Sequence, residues 1–172
     1  MIWGGSIFRY YNSYHDEVKM KITLTDRNGN RILAMESSDP TDNNQKIDIP
    51  KMCQSIANEL VKVLPAKWEK VCLYSQITKS SYEFFYHVYV DKRWIQCYQP
   101  DIYEKYGISE AEISKVFDKL YEIMLPDQCS KNWYVATLSL DKSGKVKLDY
   151  EYKDYSKTSF KYKKMWKEKF LI

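Results

Sequence analysis

The spacing of hydrophobic and polar residues changes several times along this chain, and each change marks an element. Residues 17–25 (E-V-K-M-K-I-T-L-T) alternate, with Val18, Met20, Ile22 and Leu24 on one face. Asp26-Arg27-Asn28-Gly29 supplies turn residues and Arg31 to Met35 a return, which predicts a β-hairpin. Residues 37–46 are polar, contain Pro40 and show no period, so they read as a loop or linker. They divide an N-terminal extension, residues 1–48, from a main domain over 49–172. That domain opens with a helix: Met52, Ile56, Leu60 and Val63 form one apolar stripe, Pro50 suits the first turn and Pro65 ends it.

Strands follow at about 69–78, 82–90 and 93–98, joined by turns at Ser80-Ser81 and Asp91-Lys92. Ser109 with Glu112 forms a capping box for a helix over about 109–124, with Ile113, Val116, Phe117, Leu120 and Met124 on one face. Residues 133–152 alternate on both sides of Asp141-Lys142-Ser143-Gly144, where Gly144 supplies the positive φ of a tight hairpin. A terminal helix over about Ser156 to Phe170 carries Phe160, Trp166 and Phe170 in a basic coat. Short hairpin links imply antiparallel pairing. The predicted fold is α+β: an antiparallel β-sheet of about five strands packed with three helices, plus the N-terminal β-hairpin.

One strand constrains the layers. In 82–90, Phe84, Tyr86, Val88 and Val90 share one face, while Phe85, His87 and Tyr89 share the other. Both faces are apolar or aromatic. Either both are covered, by the helices and the N-terminal hairpin, or one is an exposed aromatic platform for a protein partner.

Composition narrows the class. Aromatic content is 16% and Tyr alone accounts for 16 residues, which suits half-buried sheets and interfaces. The net charge of +4 is unevenly placed: −1 over residues 1–48, zero over 49–152 and +5 over 153–172. The basic tail is either a solvated helix face or an attractor for acidic partners. No stretch is apolar enough to span a membrane, and the first residues lack the pattern of a signal peptide. Cys53, Cys72, Cys97 and Cys129 form no C-x-x-C pair, and read as buried or half-buried free thiols of a reducing cytoplasm.

No phosphate loop, dinucleotide fingerprint, nucleophile elbow or zincin motif is present, so neither an enzyme nor a cofactor is indicated. His87 lies mid-strand among aromatics, as a packed histidine rather than a catalytic base. Asp149, Glu151 and Asp154 cluster at the end of the last hairpin, with Tyr155 beside them. Paired carboxylates serve acid–base or metal chemistry, or form a partner-facing edge.

Three blocks carry a resemblance: Trp68-Glu69-Lys70-Val71-Cys72-Leu73-Tyr74, the hairpin Trp133 to Tyr152, and Met165-Trp166-Lys167-Glu168-Lys169-Phe170-Leu171. In this order they resemble the YezG-like family of bacterial immunity proteins, over about residues 50–172. The resemblance implies a small cytoplasmic antitoxin that binds a cognate toxin, commonly a nuclease domain of a secreted polymorphic protein, including those of type VII secretion. It implies inhibition by binding, and it transfers no catalytic residue. Residues 1–48 are an addition to the family pattern, and Tyr155 stands where a Leu is expected. Toxin contacts are expected at Asp149, Glu151, Asp154 and Tyr155, or at Phe85, His87 and Tyr89. The competing reading is a nucleic-acid-binding or regulatory protein using Tyr162, Trp166 and Phe170 among the tail lysines.

Overall fold

A computed structural model describes the backbone of Ile7–Tyr11 and Glu17–Leu24, and residues 47–172 apart from Lys79. Its elements are β1 (Ile7–Tyr11), β2 (Glu17–Leu24), α1 (Ile49–Leu60), β3 (Lys70–Ile77), β4 (Tyr82–Val90), β5 (Arg93–Gln96), α2 (Pro100–Glu104), α3 (Glu110–Lys131), β6 (Val135–Asp141), β7 (Lys145–Glu151) and α4 (Ser159–Phe170). The sheet order is β1-β2-β7-β6-β3-β4-β5. The five strands from β7 to β5 pair antiparallel throughout. The α+β architecture is therefore the predicted one. Strand β2 forms as the alternation predicts, but its described antiparallel partner is β1, and its other neighbour, β7, runs parallel to it. The expected return strand at 31–35 and the linker at 37–46 lie outside the described residues.

Local chemistry accounts for the boundaries. Asp48 caps α1 by accepting from the Lys51 amide at 3.1 Å, and Pro50 occupies the first turn. The Ser109 hydroxyl and the Glu112 carboxylate cap α3 reciprocally. Gly144, at φ +83°, closes the β6–β7 turn, with its amide 2.9 Å from the Asp141 carbonyl. The β4–β5 turn places two L-residues at positive φ, Asp91 at 50° and Lys92 at 63°. Lys105 and Tyr106 hold the Asp91 carboxylate at 2.5 and 2.8 Å.

Three departures have physical causes. Helix α3 does not stop before Pro126 but runs through it to Lys131. Proline deletes one helical hydrogen bond; the next residue, Asp127, is wholly buried and anchors the last turns. Its Oδ2 accepts from Trp133 Nε1 at 3.0 Å and from the Tyr150 hydroxyl at 2.7 Å, and Lys131 Nζ lies 2.7 Å from Oδ1. The short helix α2 adds a fourth helix to the three expected. In α4, Phe160 is 86% exposed, whereas Tyr162 and Trp166 are buried and Phe170 packs at the edge of the core. A spacing of four places residues 162, 166 and 170 on one face, and residue 160 falls off it.

The sheet is covered on both sides. Phe84 and Tyr86 pack on Phe117 of α3, and the Tyr86 hydroxyl donates to the Val63 carbonyl at 2.6 Å just after α1. Tyr74, Phe85 and His87, on the other face, all meet Trp166 of α4. The second cover is thus the C-terminal helix, and the face is not an open aromatic platform.

Candidate functional site

The α4 face of the sheet gathers most of the singled-out residues. Strand alternation puts Tyr74 and Gln76 of β3, Phe85, His87 and Tyr89 of β4, Thr137 of β6, and Asp149 and Glu151 of β7 on this side. Trp166 closes its centre, donating from Nε1 to Thr137 Oγ1 at 2.8 Å. Phe85 and His87 are 7% and 5% exposed beneath it. Burial, with a contribution from nearby Lys167, pushes the His87 imidazole down to about 4, so it is neutral at physiological pH. Tyr89 is half-buried, packed edge-on against Trp94 at 5.3 Å.

The acidic cluster divides. Asp149 pairs with Thr137 across the strands, and its half-buried carboxylate lies 3.1 Å from Lys147 Nζ. Glu151, Asp154 and Tyr155 come together at the rim, where β7 ends. Glu151 Oε1 accepts from the Lys153 amide at 3.0 Å. Exposed Asp154 accepts from the Ser156 amide at 2.7 Å, which holds its carboxyl below the usual range. The Tyr155 ring stacks on Tyr162 with centroids 4.1 Å apart and leans on Tyr134 at 6.2 Å. Burial chiefly, then the Glu151 charge, raises the Tyr162 phenol; burial and Asp154 do the same at Tyr134. The rim therefore presents carboxylates beside neutral phenols that can donate hydrogen bonds.

Tyr134 and Tyr162 are the rim residues that sequence reasoning missed as a pair. They lie 28 positions apart, and only the return of α4 across the sheet joins them. Among the described residues no group of His, Cys, Asp and Glu is arranged to hold a metal ion. Cys53, Cys72 and Cys97 are buried, and burial raises each thiol; Cys129 is exposed rather than covered as expected. No helix among the described residues is long and apolar enough to cross a membrane.

The stretch of chain that builds the five antiparallel strands and the helices matches one family. The family model "Immunity protein YezG-like" matches residues 49–171, from the first residue of α1 to just past α4. The chain belongs to that immunity-protein family. It is 32% identical over 117 residues to "Immunity protein YezG" of Bacillus spizizenii, covering 63% of this chain and 73% of the relative. It is 28% identical over 107 residues to the protein of the same name from Bacillus subtilis, covering 59% and 71%. The tryptophans of the three resembling blocks, Trp68, Trp133 and Trp166, are all buried. These tryptophans therefore serve the core and do not mark a binding face.

Proposed function

We propose that this protein acts in the cytoplasm as an antitoxin, binding a cognate polymorphic toxin and holding it inactive. The toxin envisaged is a secreted one, of the type VII kind, with a nuclease domain. The protein performs no reaction of its own and uses no cofactor. Residues 1–48 act as an extension of the 49–172 immunity domain. The observation that carries the reading is the family match over the complete α1-to-α4 fold. The rim of Glu151, Asp154, Tyr155 and Tyr134, with Tyr162 buried beneath it, supports a protein interface, since it combines aromatic area, donors and charge. A complex of standard size would bury about 1,600 Å² in total.

Co-expression with the toxin domain encoded beside it tests the reading. The expected result is restored growth and one complex on size exclusion. Failure of any neighbouring toxin domain to bind more tightly than about micromolar would overturn it. The nucleic-acid reading has less support. Tyr162 and Trp166 are buried against the sheet, which removes them as stacking surfaces for bases.

A further inference from the structure

Strand β5 pairs with only half of β4. His87–Val90 face Gln96–Arg93, and one further bond runs from the Cys97 amide to the Tyr86 carbonyl at 3.0 Å. The chain then turns at Gln96–Gln99 and leaves the edge through α2, with Pro100 in its first turn. Because the Tyr86 carbonyl points toward β5, the ladder's alternation aims the main-chain groups of Phe84 and Tyr82 the same way. No strand among the described residues lies beside them.

A recess of about 350 Å³ occupies that position. Phe84 and Phe117 line it from one side of the sheet, Glu83 and Phe85 from the other, with Tyr98 where β5 gives out. A space that wraps a strand edge from both faces is where the next strand of a sheet would lie. Exposed edges are usually blunted by lysine, proline or a bulge. Here Tyr82–Phe85 carry three aromatic rings, and the one charge, Glu83, is tied to Lys163 at 2.5 Å.

Charge selects the occupant. The α3 stripe bordering the recess reads Glu110, Ser114, Asp118, with no basic residue at this spacing. The Tyr82 hydroxyl donates to Asp118 Oδ1 at 2.5 Å, fixing the stripe against the edge. A second copy docking edge to edge would bring Glu110 and Asp118 toward their own counterparts, Glu83 being already paired with Lys163. A basic strand would meet them favourably.

We propose that the open half of β4 takes an extended, basic segment of the cognate toxin as an added antiparallel strand. This rests on the immunity reading. Main-chain bonds at Tyr82 and Phe84 supply affinity, while the recess and the acidic stripe supply selectivity.

The test uses the full chain and the neighbouring toxin domain. Ser114→Trp fills the recess, and Glu110→Lys with Asp118→Lys reverses its border; Ser114, Glu110 and Asp118 are all exposed. Each variant is expected to weaken toxin binding at least about thirtyfold, roughly 2 kcal/mol, while remaining folded; the charge-reversed variant also loses the Tyr82–Asp118 bond and should melt at a lower temperature. In the wild-type complex the amide protons of Tyr82 and Phe84 should exchange markedly more slowly than in the free protein. Wild-type affinity in both variants, with no amide protection, would overturn the added strand and leave the immunity reading standing. Should the toxin domain fail to bind even the wild type, both fall. Protection that grows with protein concentration alone, with a doubled mass, would assign the edge to a second copy and also overturn the proposal. If Ser114→Trp misfolds, the charge-reversed variant and the amide exchange decide.

Discussion

Trp166 Nε1 donates to Thr137 Oγ1 at 2.8 Å, and this bond fastens helix α4 to the middle of the sheet. Both partners are buried, Trp166 at 2% and Thr137 at 2% exposure. Thr137→Val keeps the shape and strands the indole N–H in an apolar site, so a loss of about 1–3 kcal/mol is expected. Trp166→Ala also empties the contacts to Tyr74, Phe85 and His87, and about 3–5 kcal/mol is expected. Equilibrium denaturation of the two variants measures both; equal losses would mean the ring contributes no packing beyond its hydrogen bond.

A second anchor is Asp127. Replacing it by Ala removes the acceptor shared by Trp133 and Tyr150 and leaves Lys131 without its 2.7 Å partner. A loss of about 3 kcal/mol or more is expected, because a partner of a buried ionic network is removed while the others stay. Urea unfolding gives the number, and a change below 1 kcal/mol by the same standard would contradict the network's role.

His87 makes stability depend on pH. Its folded value, about 4, lies below the ordinary 6.5, so the unfolded chain binds the extra proton between those values. The contribution is therefore fully present above about pH 6.5 and is lost as pH falls toward 4, by up to about 3 kcal/mol. His87→Leu should flatten the stability profile over this window. A profile of unchanged slope would place the dependence on other groups.

The rim prediction concerns binding rather than folding. Tyr155→Ala is expected to weaken toxin affinity about tenfold, or about 1.4 kcal/mol, as read by titration calorimetry. Asp154→Ala should do the same and also lose the hydrogen bond from the Ser156 amide, a minor cost of about 1 kcal/mol. Asp149→Ala should have the smaller effect on affinity, because its carboxylate is half-buried and engaged by Lys147.

At the β4–β5 turn, Lys92 sits at φ 63° in a two-residue turn of the kind that prefers Gly. Lys92→Gly should raise stability by about 1 kcal/mol by relieving the left-handed conformation. Thermal unfolding checks the sign.

The hairpins of β3–β4, β4–β5 and β6–β7 were legible because alternation and turn residues act locally. Gly144 and the Ser109–Glu112 capping box needed no knowledge of the rest of the chain. The extent of α3 was not legible: Pro126 signals a stop, and what overrides it is Asp127 reaching Trp133 and Tyr150, a contact with no local trace. Helix α2 is five residues long, too short for an apolar period, and only Pro100 followed by Asp101 hints at a start. The second face of β4 was recognisable as aromatic and helices were among its expected covers, but which helix was not, since the phase of the α4 stripe turns on Tyr162 rather than Phe160. The candidate rim was half visible. Asp154 and Tyr155 are neighbours in sequence, and the β6–β7 hairpin brings Tyr134 to the end of β7, whereas Tyr162 joins them only through the return of α4 across the sheet.

Helix α4 also sets a condition on the order of folding. The five antiparallel strands are complete by Glu151, whereas the helix that covers Tyr74, Phe85 and His87 lies beyond them in the chain and ends at Phe170. A sheet that forms before this helix docks is bare on its aromatic face and presents a sticky surface to its neighbours. The lysine-rich helix then both closes that surface and gives it a charged exterior.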